Sequence, residues 1–308
     1  MQTAAIPLSE TQTESWPRVL ARLLRVHQWS KNLLVFAPVV TSHQVLSAPV
    51  LKASAVMFVV FCCAASATYI ANDLMDLESD RQHPTKRFRP MASGRIPPRT
   101  ARIIASFLLL AVGLIVTAYP FPTAAARVFP ASYLLCTFFY SAWLKRLALV
   151  DVVTLAFLYA LRVLAGGAAT GIVISAWTIA FFLFLFLSLA LLKRYAELAN
   201  APAETEWTPG RDYRRADMPF ISQCGVASGL ISVLVLALYI HSPEVHPLYK
   251  RPELLWLLGP LLAYGILKLW LAGHRGLMHD DPIVFVVQSR WTYGLAAVIA
   301  AVLIAASI

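Results

Sequence analysis

The sequence predicts an all-α polytopic membrane protein, with about nine transmembrane helices and an amphipathic helix lying on the membrane at its N-terminal end. Two observations carry that prediction. Of the 308 residues, 59% are hydrophobic and only 14% are charged, which lies outside the range of soluble domains. Apolar runs of bilayer-crossing length also recur from about residue 33 to the end of the chain, leaving no segment long enough for a second, soluble domain. The chain therefore reads as a disordered stretch over residues 1–15 followed by one transmembrane domain over residues 16–308.

From Trp16 to Lys31, Arg18, Arg22, Arg25 and Lys31 alternate with apolar positions, the pattern of an interfacial helix. Spans follow at about 33–50, 51–72, 102–120, 124–143, 148–170, 173–193, 219–240, 254–273 and 283–306. Pro38 and His43 interrupt the first. Trp207, Trp256, Trp270 and Trp291 fall near span ends, where indole rings anchor a protein to the interface. Cys62, Cys63, Cys136 and Cys224 sit in or beside apolar runs without a CxxC pattern, so they read as unpaired helix residues. The first thirty residues hold no apolar core of a cleavable signal.

An odd number of spans puts the termini on opposite sides. Most of the 26 Lys and Arg residues fall on the side of the N-terminus, which is therefore cytoplasmic, with the C-terminus across the membrane. The net charge of +10 is accounted for largely by a basic face against an anionic leaflet. No nucleic-acid motif appears, and no nucleic-acid partner is expected.

The densest polar stretch is Asn72 to Arg102. Its first part follows the apolar run Val56 to Ile70 without Gly or Pro, so it continues that helix. At about 100° per residue, Asn72, Asp73, Asp76 and Asp80 share one face and Glu78 points away. Three carboxylates on one face of an apolar helix need positive charge beside them. Hard oxygen ligands without His or Cys suit Mg²⁺, which shares its coordination with substrate phosphates. The plainer reading pairs the acids with Arg81, Lys86 and Arg87 at a solvated helix end. Lys86, Arg87, Arg89 and Arg95 follow so closely that they suit a polyphosphate ligand.

Three further constellations stand out. Lys193-Arg194-Tyr195-Ala196-Glu197 ends a very apolar span, where cations either complement the helix dipole and snorkel or bind an anion. The loop Pro209 to Asp217 that follows is basic as well. Arg162 lies in mid-span, so it requires a polar cavity or a partner; Asp151, on the same helix but roughly 16 Å away by rise, is too distant to pair directly. In His279-Asp280-Asp281-Pro282, Asp281 and Pro282 suit a helix start, which leaves His279 and Asp280 as secondary site candidates.

With nine spans and Asn72-xxx-Asp76-xxx-Asp80 ending the second, the chain resembles the UbiA superfamily of intramembrane prenyltransferases over nearly its whole length. Members typically carry a second Asp-rich motif at the end of the sixth span; here that place reads Lys193-Arg194-Tyr195-Ala196-Glu197. That departure, with Arg25-x-x-Gln28-Trp29-x-Lys31-Asn32, His83 to Pro90 and His279 to Pro282, resembles the decaprenyl-phosphate phosphoribosyltransferase branch of bacteria.

The resemblance implies a Mg²⁺-dependent transfer of 5-phosphoribose from phosphoribosyl diphosphate (PRPP) to a polyprenyl phosphate lipid in the bacterial plasma membrane. It implies catalytic and metal-holding roles for Asp73, Asp76 and Asp80, with Asn72 as an auxiliary ligand. Lys86, Arg87 and Arg89 would grip the donor. Arg162, Lys193 and Arg194 would receive the lipid phosphate, with Tyr195 and Glu197 in the same motif and Gln28 and Lys31 closing the site. His279 and Asp280 are binding candidates too. The rival is transfer of a prenyl chain from its diphosphate to an aromatic or lipid acceptor. Self-association into a homo-oligomer stays open.

Overall fold

A computed structural model describes residues 15–83, 85–201, 210–243, 245, 248–278 and 281–308. The predicted disordered residues 1–14, Trp207, His279 and Asp280 lie outside the described residues. Every element is helical, with no strand among the described residues.

Helix α1 (Trp16–Leu23) leads into a 3₁₀ helix over Val26–Phe36 and a short α2 (Ala37–Thr41). The long helices are α3 (Ala48–Met75), α5 (Pro98–Ala118), α6 (Ala125–Ala142), α7 (Val150–Thr170), α8 (Ala176–Ala199), α9 (Met218–His241), α10 (Leu258–His274) and α12 (Arg290–Ser307). Short helices α4 (Leu77–Gln82) and α11 (Pro282–Gln288) stand beside α3 and α12. Local chemistry sets many of the ends. Pro98 and Pro219 sit in first turns, where a missing N–H costs nothing. The Ser175 hydroxyl accepts from the Thr178 N–H at 3.2 Å and starts α8. Gly171, at φ 76°, ends α7 in a left-handed turn that glycine enters without steric cost.

Helices α3 and α7 form the centre, with 56% and 67% of their apolar stretches buried, whereas α12 has 6%. Small residues permit this packing: Ala64, Ala65 and Ala67 of α3 and Ala165, Gly166 and Ala169 of α7 are all buried. A Cβ on Gly166 would lie 2.0 Å from the Val35 carbonyl oxygen, so this glycine is what lets the 3₁₀ helix lie against α7.

Several sequence expectations are corrected. Seven of the nine expected spans are matched by helical stretches, among the described residues, that are long and apolar enough to cross a membrane. The expected span 33–50 is divided between the 3₁₀ helix and α2, because Pro38 starts a new helix and His43 turns the chain at φ 57°. The region 124–143 is helical as α6 but, with Arg127 and Pro130, is not among the seven. The expected span 283–306 breaks at Ser289, whose extended backbone separates α11 from α12. The surface helix expected over 16–31 ends at Leu23, since Arg25 adopts a left-handed φ of 50°. Its apolar side, Val19 and Leu23, packs with Ile70, Met91 and Ile96. Trp270 is buried in the core, donating to the Ser188 hydroxyl at 3.0 Å, so it is no interfacial anchor.

Candidate functional site

The acidic motif lies at a break in the helix, not on a continuous one. Helix α3 stops at Met75, Asp76 takes φ −92° and ψ 7°, and α4 resumes at Leu77. The backbone still bonds as a helix on both sides, Asp76 N–H to Asn72 O at 2.9 Å and Asp80 N–H to Asp76 O at 2.8 Å, so the shared face survives. Asp73 and Asp80 are buried, Asn72 and Asp76 half-buried, and Glu78 is exposed and pairs outward with Arg81 at 3.0 Å.

Positive charge does sit there, from arginines. Arg89 Nη1 donates to Asp73 Oδ1 at 3.0 Å and to Asp80 Oδ2 at 2.6 Å, and Arg25 Nη2 donates to Asp73 Oδ1 at 2.5 Å. Arg25 also lies over the Tyr69 ring, 4.7 Å from its centroid. Its left-handed backbone is what turns it from α1 toward the motif. Lys86 and Arg87 remain exposed, with Arg87 against Phe88. Among the described residues, no group of three or more His, Cys, Asp or Glu side chains converges as a ready metal cage; Asp73 and Asp80 share a guanidinium and Asp76 stands apart from that bridge.

Beside this cluster a cavity of about 110 Å³ runs into the protein, lined by Asn72, Lys31, Arg162, Tyr69, Tyr133 and Tyr159 among others. Arg162 lies about 18 Å by helical rise from the start of α7 and is buried. Its Nε donates to Asn32 Oδ1 at 2.9 Å, Nη1 to the Leu158 carbonyl at 2.5 Å and Nη2 to the Tyr133 hydroxyl at 3.1 Å. All three partners are uncharged, and no described carboxylate pairs with it. As the sequence implied, it faces a polar cavity and does not meet Asp151.

The second part of the site is built from elements far apart in the chain. Asp281 caps α11, its Oδ1 accepting from the Ile283 N–H at 3.2 Å, as expected for a helix start. Its Oδ2 also accepts from Lys31 Nζ at 2.7 Å and Lys193 Nζ at 2.9 Å, with the Tyr159 hydroxyl at 3.5 Å. Burial opposes ionisation of this carboxyl, but Lys193 and Lys31 outweigh it and hold it well below the usual carboxylate range. Burial, with Lys193 and Arg162 nearby, lowers the Lys31 ammonium to about 8 against the pull of Asp281. Gln28, half-buried, lies in the same 3₁₀ helix as Lys31.

Arg194 and Glu197 do not join that chamber. Arg194 is fully buried and donates to Asp151 Oδ2 at 2.6 Å, to Glu197, and to the Tyr140 hydroxyl at 3.2 Å. Arg211 reaches Asp151 at 3.2 Å and Glu197 at 3.4 Å, while the Tyr213 hydroxyl donates to Asp151 Oδ1 at 2.5 Å and accepts from the Leu149 N–H at 2.8 Å. This network fixes the loop after α8 to the start of α7. Tyr195 turns to the other side, its hydroxyl 2.7 Å from His274 Nδ1. Of the sequence motif, then, only Lys193 faces the chamber.

Arg25, Asn32, Tyr133, Tyr159 and Asp281 were missed as site residues. The sequence string Arg25-x-x-Gln28-Trp29-x-Lys31-Asn32 carried a signal for two of them; Asp281 was legible only as a cap.

The comparisons with known proteins agree with this architecture. The profile of the UbiA prenyltransferase family matches residues 34–282. An uncharacterized protein, y4nM of Sinorhizobium fredii, is 37% identical over 285 residues, spanning 92% of this chain and 55% of that protein. The chain thus spans about half the length of that relative. Decaprenyl-phosphate phosphoribosyltransferase of Mycolicibacterium smegmatis is 40% identical over 186 residues, 59% of this chain and 58% of the relative. The solved structure of a UbiA homolog from Archaeoglobus fulgidus bound to GPP and Mg²⁺ superposes with a TM-score of 0.68 at 16% identity, over 94% of this chain and 99% of that one. With a helical bundle of this shape, an Asp-bearing break at the end of its central helix and a family profile covering most of its length, the chain belongs to the UbiA prenyltransferase family.

Proposed function

We propose that this protein transfers 5-phosphoribose from PRPP to a polyprenyl phosphate such as decaprenyl phosphate, releasing diphosphate. The observation that carries the reading is the pairing of one carboxylate cluster, Asp73 and Asp80, with a cationic chamber of Lys31, Lys193 and Arg162. Two differently charged half-sites suit a diphosphate donor on one side and a phosphate nucleophile on the other. The phosphoribosyltransferase relative adds to the argument. The chain acts in the bacterial plasma membrane, with N-terminus and site on the cytoplasmic side, where PRPP is dissolved. Its product feeds lipid-linked ribose or arabinose donors for cell-wall polysaccharide.

The donor set at the helix break fits Mg²⁺. It is oxygen alone, from Asn72, Asp73, Asp76 and Asp80, and two of its carboxylates already converge on one positive nitrogen, that of Arg89. When bound there, Mg²⁺ supplies charge neutralisation for the leaving diphosphate.

The remaining steps belong to this chain's residues. Arg25 and Arg89, at the carboxylate cluster, supply positive charge for the donor phosphates, with Lys86 and Arg87 on the exposed rim. Lys31, Lys193 and Arg162 hold the acceptor phosphate, whose second pKa near 6 leaves it anionic at neutral pH. One of its oxygens attacks the anomeric carbon of PRPP; the carbon–oxygen bond to diphosphate breaks and its electron pair leaves with diphosphate. No general base is required. Catalysis rests on aligning two anions and on fixed positive charge around the departing group.

Labelled PRPP, polyprenyl phosphate and Mg²⁺ with the detergent-solubilised protein test the reading. Label entering the lipid phase, and lost in Asp76→Asn, is the expected result. No ribose transfer, but turnover of a prenyl diphosphate with an aromatic or lipid acceptor, would establish the prenyl-transfer reading in its place.

A further inference from the structure

Three clusters of buried charge occur around the site, and only two are balanced. At the helix break, Asp73 and Asp80 face Arg25 and Arg89. At the start of α7, Asp151 and Glu197 face Arg194 and Arg211. In the third, Lys31 and Lys193 share one described carboxylate, that of Asp281, and Arg162, bonded to the uncharged Asn32, adds a further cation that acts on Lys31. Lys31 feels Lys193, Asp281 and Arg162 together, so the four act as one electrostatic group. That group carries a surplus of two positive charges, in surroundings where uncompensated charge is costly.

The geometry points to Asp281 as a specificity-determining residue that tunes this chamber to a phosphate monoester and against a diphosphate. The inference rests on the reading above that the acceptor is a prenyl phosphate and names what selects it. A monoester above its second pKa is a dianion, which matches the surplus. The adjoining cavity of about 110 Å³, lined by Lys31 and Arg162, gives a phosphoryl group a way to this charge.

Asp281 already behaves as a stand-in oxygen of such a ligand. Its Oδ2 takes both ammonium groups and faces the Tyr159 hydroxyl. Each ammonium has three donors, and this contact uses one from each. The carboxylate is fixed by its cap on α11, so it stays in place beside an incoming phosphate and repels further negative charge. A diphosphate, larger and more negative, meets that repulsion.

The test is binding without chemistry. Farnesyl phosphate and farnesyl diphosphate are titrated calorimetrically into the detergent-solubilised full chain in EDTA, without PRPP, for the unmodified protein, Asp281→Asn and Lys193→Met. The unmodified protein is expected to prefer the monophosphate. Asp281→Asn, with one more net positive charge, shifts the affinity ratio toward the diphosphate by about tenfold or more. Lys193→Met, with one fewer, shifts it the other way.

An unchanged ratio in Asp281→Asn, or equal weakening of both ligands, overturns the proposal and leaves Asp281 as a structural cap. If Asp281→Asn does not yield a monodisperse protein, Lys193→Met decides, and an unchanged ratio there overturns it. A diphosphate preference in the unmodified protein overturns the prenyl-phosphate reading beneath it. A monophosphate preference that ignores both substitutions defeats this inference alone.

Discussion

The Lys31 ammonium lies 2.7 Å from the Asp281 carboxylate, although 250 residues separate them. The contact ties the 3₁₀ helix near the start of the chain to the cap of α11 near its end. Lys31 is also the member of the chamber whose charge can change near physiological pH, being lowered to about 8. Below that pH it is an ammonium; as pH rises through about 8 the charge is lost in the folded protein. Binding of farnesyl phosphate is therefore expected to weaken above pH 8. Lys31→Arg, whose charge persists, removes that alkaline fall, and titrations at pH 7 and pH 9 measure it. The stability effect runs the other way. Between about 8 and the ordinary lysine value of 10.5 the unfolded chain binds the extra proton, so this residue's burial penalty declines as pH rises.

Arg89 bridges Asp73 and Asp80 where a divalent cation would compete with it. Arg89→Ala leaves two buried carboxylates without that bridge. The variant is expected to be less stable than the unmodified protein in EDTA and to gain more from Mg²⁺. A thermal melt with and without 5 to 10 mM Mg²⁺, on the order of common working concentrations, reads the difference. Equal Mg²⁺ responses would exclude metal from this cluster.

Asp151 is the hub of the loop latch, accepting from Arg194, Arg211 and Tyr213 at 0% exposure. Removing one member of such a buried network strands the others. Asp151→Ala is expected to cost about 3–5 kcal/mol of stability, read from chemical denaturation in detergent. Arg211→Ala, on the half-buried rim, costs less.

Gly166 allows the 3₁₀ helix to touch α7. Gly166→Ala puts a Cβ 2.0 Å from backbone oxygen, so the 3₁₀ helix carrying Lys31 and Asn32 has to shift. Transfer is expected to fall by as much as about 100-fold, the scale of loss for a ~1 Å misplacement near a site. The far-UV circular dichroism should stay unchanged.

How far the sequence revealed these features depends on how local they are. The shared face of Asn72, Asp73, Asp76 and Asp80 and the outward Glu78 follow from helix periodicity, and the short interruption at Asp76 does not disturb it. The absence of an Arg162–Asp151 pair follows from rise per residue. The cap at Asp281 is a neighbour effect and was equally readable. Its second role was not, because Lys31 and Lys193 reach it across 250 and 88 residues, and no local pattern encodes that meeting. Arg194 shows the same limit. Adjacent to Lys193, it points about 100° away around the helix and finds Asp151, so two neighbouring cations with one apparent purpose serve different clusters. The broken first span was signalled by Pro38 and His43; the long 3₁₀ segment before it had no signal, since runs of that length are uncommon.

Helix α12 is mostly exposed, held to the protein by Ile299, Val302, Leu303 and Ala306 against Ile240, Leu255 and Leu258. One extended residue, Ser289, joins α12 to α11, whose cap is Asp281. The carboxylate that joins Lys31 to Lys193 is thus one short helix and one hinge residue away from the most exposed long helix of the protein.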